Sequence, residues 1–232
     1  MVQATIPPAE GVVKKKAYHH GDLRNAIILQ ATARARFQGE RAIILREIAT
    51  EIGVSATAAY RHFANRQQLV EEVAAAGFSA MSEKLALPSV LAGEADAGLA
   101  AYVDLRNAAL AAVAFTGEEP AWSRMMVAGL GESATVIAAG RETEDLMQEI
   151  VDRGVEAGMF LPGTELRHNR VFWAGVAGLC THAMFGLQPM GTSEADVDSS
   201  RTLDLCMSDM LTDAGREAVA AADLPAGAIS AL

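Results

Sequence analysis

The chain has 232 residues, 51% of them hydrophobic, and a formal net charge of −10 at pH 7. That length accommodates a small domain beside a larger one, and that hydrophobic content supports a sizeable core without covalent staples. Only Cys180 and Cys206 are present, which excludes a disulfide framework; no secretory signal or apolar run of membrane-spanning length is evident, so a reducing cytoplasm is the expected compartment.

Ala and Leu abound, Pro is sparse in the middle and no run of alternating β-branched residues occurs, which predicts an all-α protein. Residues 1–17 lack periodicity and carry Lys14, Lys15 and Lys16, reading as a flexible basic arm that is either a phosphate contact or a merely soluble terminus. His19 and His20 lack two further ligands, so no metal is expected. Asp22 is a fitting N-cap for a first helix with Leu23, Ile27 and Ala31 at fourfold spacing, closed by Gly39.

The stretch LREIATEIGVSATAAYRHFAN, residues 45–65, follows. Leu45, Ile48, Ala49 and Ile52 fall at i, i+3, i+4 and i+7, the apolar stripe of a short amphipathic helix. Gly53 supplies a left-handed C-cap, Val54 plugs the turn, and Ser55 caps a second helix from Ala56. Small Ala49 lets the two helices cross closely, as a helix-turn-helix requires. The second helix exposes Thr57, Tyr60, Arg61 and His62 among small alanines, a face able to lie on phosphates and reach base edges. Phe63 turns back to the core, and Asn65 with Gln68 predicts a capping box for a third helix.

Charge is distributed to match. Residues 1–66 hold ten Lys or Arg against five Asp or Glu, a balance of +5, whereas residues 67–232 hold nine against twenty-four, a balance of −15. The first segment can face DNA, and the second is repelled by it.

IATEIGV followed by SATAAYRHFANRQQLV resembles the DNA-binding signature of the tetracycline-repressor (TetR) family of bacterial regulators, over about residues 18–77. YHHGDLRNAI and YRHF are similar to a subgroup whose second domain carries a Trp-His-Gly motif. Ala59 stands where the family has a larger apolar residue and Ala35 where it has Phe, leaving this domain's packing looser or rescued by Phe37. By the resemblance, Arg46, Thr57 and Arg61 are expected base readers. Ser55 joins the DNA-binding set as helix cap, and Tyr60, His62 and Arg66 match phosphate-contacting positions.

Residues 18–66 are therefore the expected DNA-binding domain and residues 67–87 a connecting helix, with Val70, Val73, Ala74, Gly77, Phe78, Met81 and Leu85 in one stripe. Pro88 and SVLAGEADAG break it, and residues 88–213 form the expected effector-binding and dimerisation domain. Helices are predicted around Leu99–Leu110, after Pro120, from about Thr135 to Ala157 with Leu146, Ile150 and Val151 inward and Gly158 as cap, within Thr164–Phe185, and from about Ser193 to Leu211. VFWAGVAGLCTHAMF is apolar nearly all round, which predicts burial on more than one side. With the following helix it is the expected homodimer face, including Leu179 and Met210, a placement the resemblance also implies. Ala177 occupies the place of the subgroup's His. His182 is a candidate substitute, although a partly buried, hydrogen-bonded histidine is the simpler reading. Residues 214–232 read as an Ala-rich tail.

No paired Glu-x-x-His, phosphate-binding Gly loop, CxxC pair or GxSxG elbow occurs, so neither catalysis nor a cofactor is expected. Cys180 and Cys206 read as small buried hydrophobes rather than oxidant sensors. Trp122, Met125, Met126, Met147, Phe172, Trp173 and His182 are candidate contacts of an apolar or aromatic effector, although core packing explains most of them. Both tryptophans lie in this second domain, which predicts that fluorescence reports effector more than operator. The sequence thus implies a dimeric repressor that binds a palindromic double-stranded operator and is released by the effector. The alternative is a helical small-molecule binding protein without useful DNA binding.

Overall fold

A computed structural model describes residues 23–86, 96–187, 193–222 and 224. The elements are α1 (Leu23–Gln38), a 3-10 turn (Glu40–Ala42), α2 (Leu45–Glu51), α3 (Ala56–Tyr60), α4 (Arg66–Leu85), α5 (Ala97–Glu118), α6 (Pro120–Leu130), α7 (Ala134–Glu156), a 3-10 turn (Leu166–His168), α8 (Arg170–Phe185), α9 (Ser193–Met207), a 3-10 turn (Ser208–Met210) and α10 (Asp213–Ala221). The described residues contain helices and turns with one isolated antiparallel bridge, Phe160 to Leu211, and no strand. The basic arm, the Asp22 cap, His19, His20 and Pro88 lie outside the described residues.

α1 to α3 and the start of α4 make a small head. Ile27, Ala31, Ala35, Ile43, Leu45, Ile48, Ala49, Ala59, Phe63 and Leu69 enclose its core. α2 ends in a complete Schellman motif: Val54 N–H donates to Ala49 O at 2.9 Å, Gly53 N–H donates to Thr50 O at 3.1 Å, and Gly53 sits at φ 78°. Ser55 Oγ then accepts from Ala58 N–H at 3.2 Å, starting α3. Asn65 Oδ1 accepts from Gln68 N–H at 2.9 Å, while Gln68 Oε1 accepts from Ala64 N–H at 2.8 Å, a capping box displaced by one residue. Phe37 is 88% exposed, so it does not fill in for the small Ala35. The α1 core is completed by close approach of its alanines to neighbouring helices.

α4 runs from the head into the body, where it packs on α5, α6 and α7. α5 is the body's central helix, in contact with α4, α7, α8 and α9. It alone among the described helices is long and apolar enough to cross a membrane, contrary to the expectation that no such run exists, but most of it is buried inside the body. α7 buries Val136, Gly140, Thr143, Met147, Val151 and Gly154, one residue per turn of a single face. Leu146 and Ile150 are half-buried at the margin of that face, and the acids from Glu142 to Glu156 lie mostly on the solvent side.

Two expectations for the C-terminal half change. α8 buries Phe172, Val176, Ala183 and Met184 but leaves Val171, Ala174, Ala177, Gly178, Thr181, His182 and Phe185 exposed, so a helix apolar all round has one bare side in the single chain. The tail expected from residue 214 contains most of α10, which begins at Asp213. Thr212 Oγ1 accepts from Gly215 N–H and donates to Gly158 O at 2.6 Å, tying the start of this helix to the end of α7. A nine-residue helix is too short to be stable alone, and its cap with the α5 surface beneath it makes it stable.

Candidate nucleic-acid interface

α2 and α3 present one polar surface. Arg46, Thr50, Ser55, Thr57, Tyr60 and Arg61 are exposed and His62 half-buried. Ala59, between them on α3, is fully buried against the head core. The small buried side and the polar outer side follow from a five-residue helix laid close over α2 at Ala49.

The head's arginines divide into two groups. Arg24 pairs with Glu72 and lies 5.4 Å over the Phe63 ring; Arg34 donates to Glu47 at 2.6 Å and to Ala42 O at 2.9 Å. Arg66 donates through Nε to Ile43 O at 2.9 Å and through its two Nη to Glu40 Oε1 and O at 2.8 and 2.6 Å. Its guanidinium is thus already engaged in holding the 3-10 turn to α4, a role that its expected assignment to phosphate does not contain. Arg41, Arg46 and Arg61 make no ion pair or side-chain hydrogen bond among the described residues and are exposed, Arg46 on α2 and Arg61 at the end of α3. The latter two guanidiniums, kept free beside Thr57 and Tyr60, suit base edges and phosphates, because Arg offers a planar fork of donors to either.

The expected effector residues are dispersed differently. Trp122, Met125, Met126, Met147 and Phe172 are buried in the common core. Trp122 belongs to the junction with the head: its Nε1–H donates to Val73 O of α4 at 2.7 Å, and the Arg36 guanidinium of α1 lies 5.9 Å over its ring. Trp173, edge-on to Phe172 at 5.3 Å, donates to Leu166 O at 2.9 Å. Gln148 holds the same loop, donating to Thr164 O at 3.1 Å and accepting from Leu166 N–H at 2.7 Å. His182 is not a core histidine and its side chain has no hydrogen-bond partner among the described residues; it is exposed at a groove of about 290 Å³ between α8 and α9, with Ala174, Gly175, Gly178, Leu179, Asp198 and Thr202.

Three polar groups in the body were not foreseen. Tyr102 O–H of α5 donates to Asp204 of α9 at 2.7 Å, and buried Arg106 stands 3.5 Å from the same carboxylate. Burial, then the Asp204 contact, pushes the Tyr102 hydroxyl well above its ordinary range. Tyr102 and Arg106 are one turn apart on the predicted helix, and that spacing was the only signal available. Met210 is buried within its own chain and does not face outward as expected, whereas Leu205 is 74% exposed. Cys180 and Cys206 are partly rather than fully buried.

The geometry defines a helix-turn-helix head on a larger helical body, and residues 28–73 match the family described as "Bacterial regulatory proteins, tetR family". That match covers the helix-turn-helix head, which is similar to the N-terminal domain of TetR-family regulators. Similar solved structures extend the likeness to the whole fold. A protein of unknown function from Rhodococcus sp. RHA1 is 27% identical, with TM-score 0.67, 85% of this chain and 100% of that one covered. A candidate TetR-family transcriptional regulator from Mesorhizobium loti MAFF303099 is 19% identical, with TM-score 0.64, covering 84% and 100%. SmeT, the repressor of the Stenotrophomonas maltophilia multidrug efflux pump SmeDEF, is 20% identical, with TM-score 0.57, covering 89% and 95%. Comparison with curated proteins gave no match. The chain has the fold of TetR-family transcriptional regulators.

Proposed function

We propose that the chain is a dimeric, ligand-responsive transcriptional repressor that binds a palindromic DNA operator. The observation that carries this reading is the exposed surface of α2 and α3, where Arg46, Thr57, Tyr60 and Arg61 stand free of the core. Arg46, Thr57 and Arg61 read bases, Tyr60 and His62 contact phosphates, and Ser55 fixes the start of the recognition helix. Arg66 supports that surface from behind by bonding Ile43 and Glu40.

The bare side of α8 with Leu205 of α9 supports a homodimer, since Val171, Phe185 and Leu205 are more than half exposed in one chain. Two-fold pairing there presents two recognition helices to successive major grooves, about 34 Å apart. Ala177, which replaces the Trp-His-Gly histidine, and His182 both lie on this bare side, so their proposed role is at the partner surface rather than at a ligand. The effector is apolar or aromatic and enters the body core near Met147 and Phe172. Those side chains are already packed, so entry requires helices to move, and movement alters the spacing of the heads. Operation in the cytoplasm follows from a DNA target.

The reading is tested by titrating labelled duplexes across salt concentrations. Affinity should fall steeply, with log K decreasing by about 0.9 per phosphate contacted for each unit of log salt. Binding that is flat from low to physiological salt contradicts the proposal.

A further inference from the structure

Besides sharing α4, head and body meet where α1 and the Glu40–Ala42 turn pack on α6. A head joined by one helix alone can rotate about it; a second attachment removes that freedom. The second attachment is built from three side chains. Glu119, the residue between α5 and α6, accepts from Arg36 Nε at 2.8 Å and also from Arg36 Nη2. Its side chain is 13% exposed against 50% for Arg36, so the pair is partly withdrawn from water on the carboxylate side. The same guanidinium lies over Trp122, whose ring tilts on Phe115 at 5.9 Å and whose N–H reaches the carbonyl of Val73. That reach depends on Gly77, because a Cβ there would stand 3.1 Å from Trp122 Nε1 and 2.8 Å from Met126 Cγ.

We infer that Arg36 and Glu119 form a clamp, closed over Trp122, which fixes the angle of the head on the body and transmits head movement to α6. Both are positioning residues and neither touches DNA; the inference rests on the DNA-binding reading. A clamped head is preorganised, so less orientational freedom is lost on binding. The neighbouring Glu118 pairs with Lys84 of α4, away from α1, and serves as an internal control.

The test uses the full chain with Trp173→Phe, leaving Trp122 as the sole tryptophan. In the free protein, Glu119→Gln should raise hydrogen exchange across α1 and Glu118→Gln should not, while Arg36→Ala combined with Glu119→Gln should do little more than either alone. Arg36→Lys, which keeps charge but loses the two-pronged contact, should fall between, and it covers the case in which Arg36→Ala fails to fold. On saturation with a site selected from random duplexes, Trp122 emission should shift. Glu119→Gln should abolish that shift and weaken binding about 3- to 10-fold through lost preorganisation. Unchanged α1 exchange in Glu119→Gln and Arg36→Lys overturns the clamp, as does constant Trp122 emission while duplex anisotropy reports full binding. If no duplex binds, the DNA-binding reading falls, and the clamp is decided by the exchange measurement.

Discussion

Individual side chains separate recognition from support. Arg61→Ala should cost roughly 1 to 3 kcal/mol and relax preference at one base pair per half-site, whereas Tyr60→Phe should weaken every sequence alike; binding to a panel of single-base variants distinguishes the two. Arg66→Ala should behave otherwise. Its three bonds to Glu40 and Ile43 predict a loss of about 1 kcal/mol of stability, as the guanidinium is partly solvated, with little change in the salt slope of DNA binding. Sequence alone could not make this division, because a motif position records an arginine without recording what already holds it. Burial pushes the Cys180 thiol up to about 11, with Thr116 pulling weakly the other way. The folded chain then keeps the proton that an unfolded thiol loses near 9, so this stability is whole below pH 9 and lost as pH rises towards 11. Urea unfolding across that range should show a shallower decline in Cys180→Ala than in the parent.

Helices whose signals are local were legible in the sequence. The α2 to α3 turn was readable because Gly53, Val54 and Ser55 each perform a backbone task that few other residues perform. Gly53→Ala should accordingly cost about 1 kcal/mol in denaturant unfolding, since φ is 78° and nothing crowds the site to add to that strain. What periodicity does not carry is the identity of the neighbour. α8 reads as apolar all round whether its second side meets its own chain or another, and α10 draws its stability from a Thr212 cap and a docking surface remote in sequence. Trp122 shows the same limit: its position in the second domain says nothing of its neighbours in the head, and its hydrogen bond to α4 and the cation above it place it at the junction of head and body.

At the scale of the whole molecule, the proposed dimer would bring its two basic heads to DNA and keep the acidic body away from it. Phe185→Glu or Leu205→Glu should dissociate that dimer in sedimentation, because a charge is then buried unpaired between subunits. Met210→Glu should instead unfold the body, as Met210 lies inside one chain. The most direct test of the central claim is selection of bound sequences from random duplex DNA by the intact protein. The account predicts an inverted repeat whose half-sites lie about 10 base pairs apart, centre to centre, with two chains bound per site. Enrichment of a lone asymmetric site bound by one chain, or of no sequence at all, would contradict it.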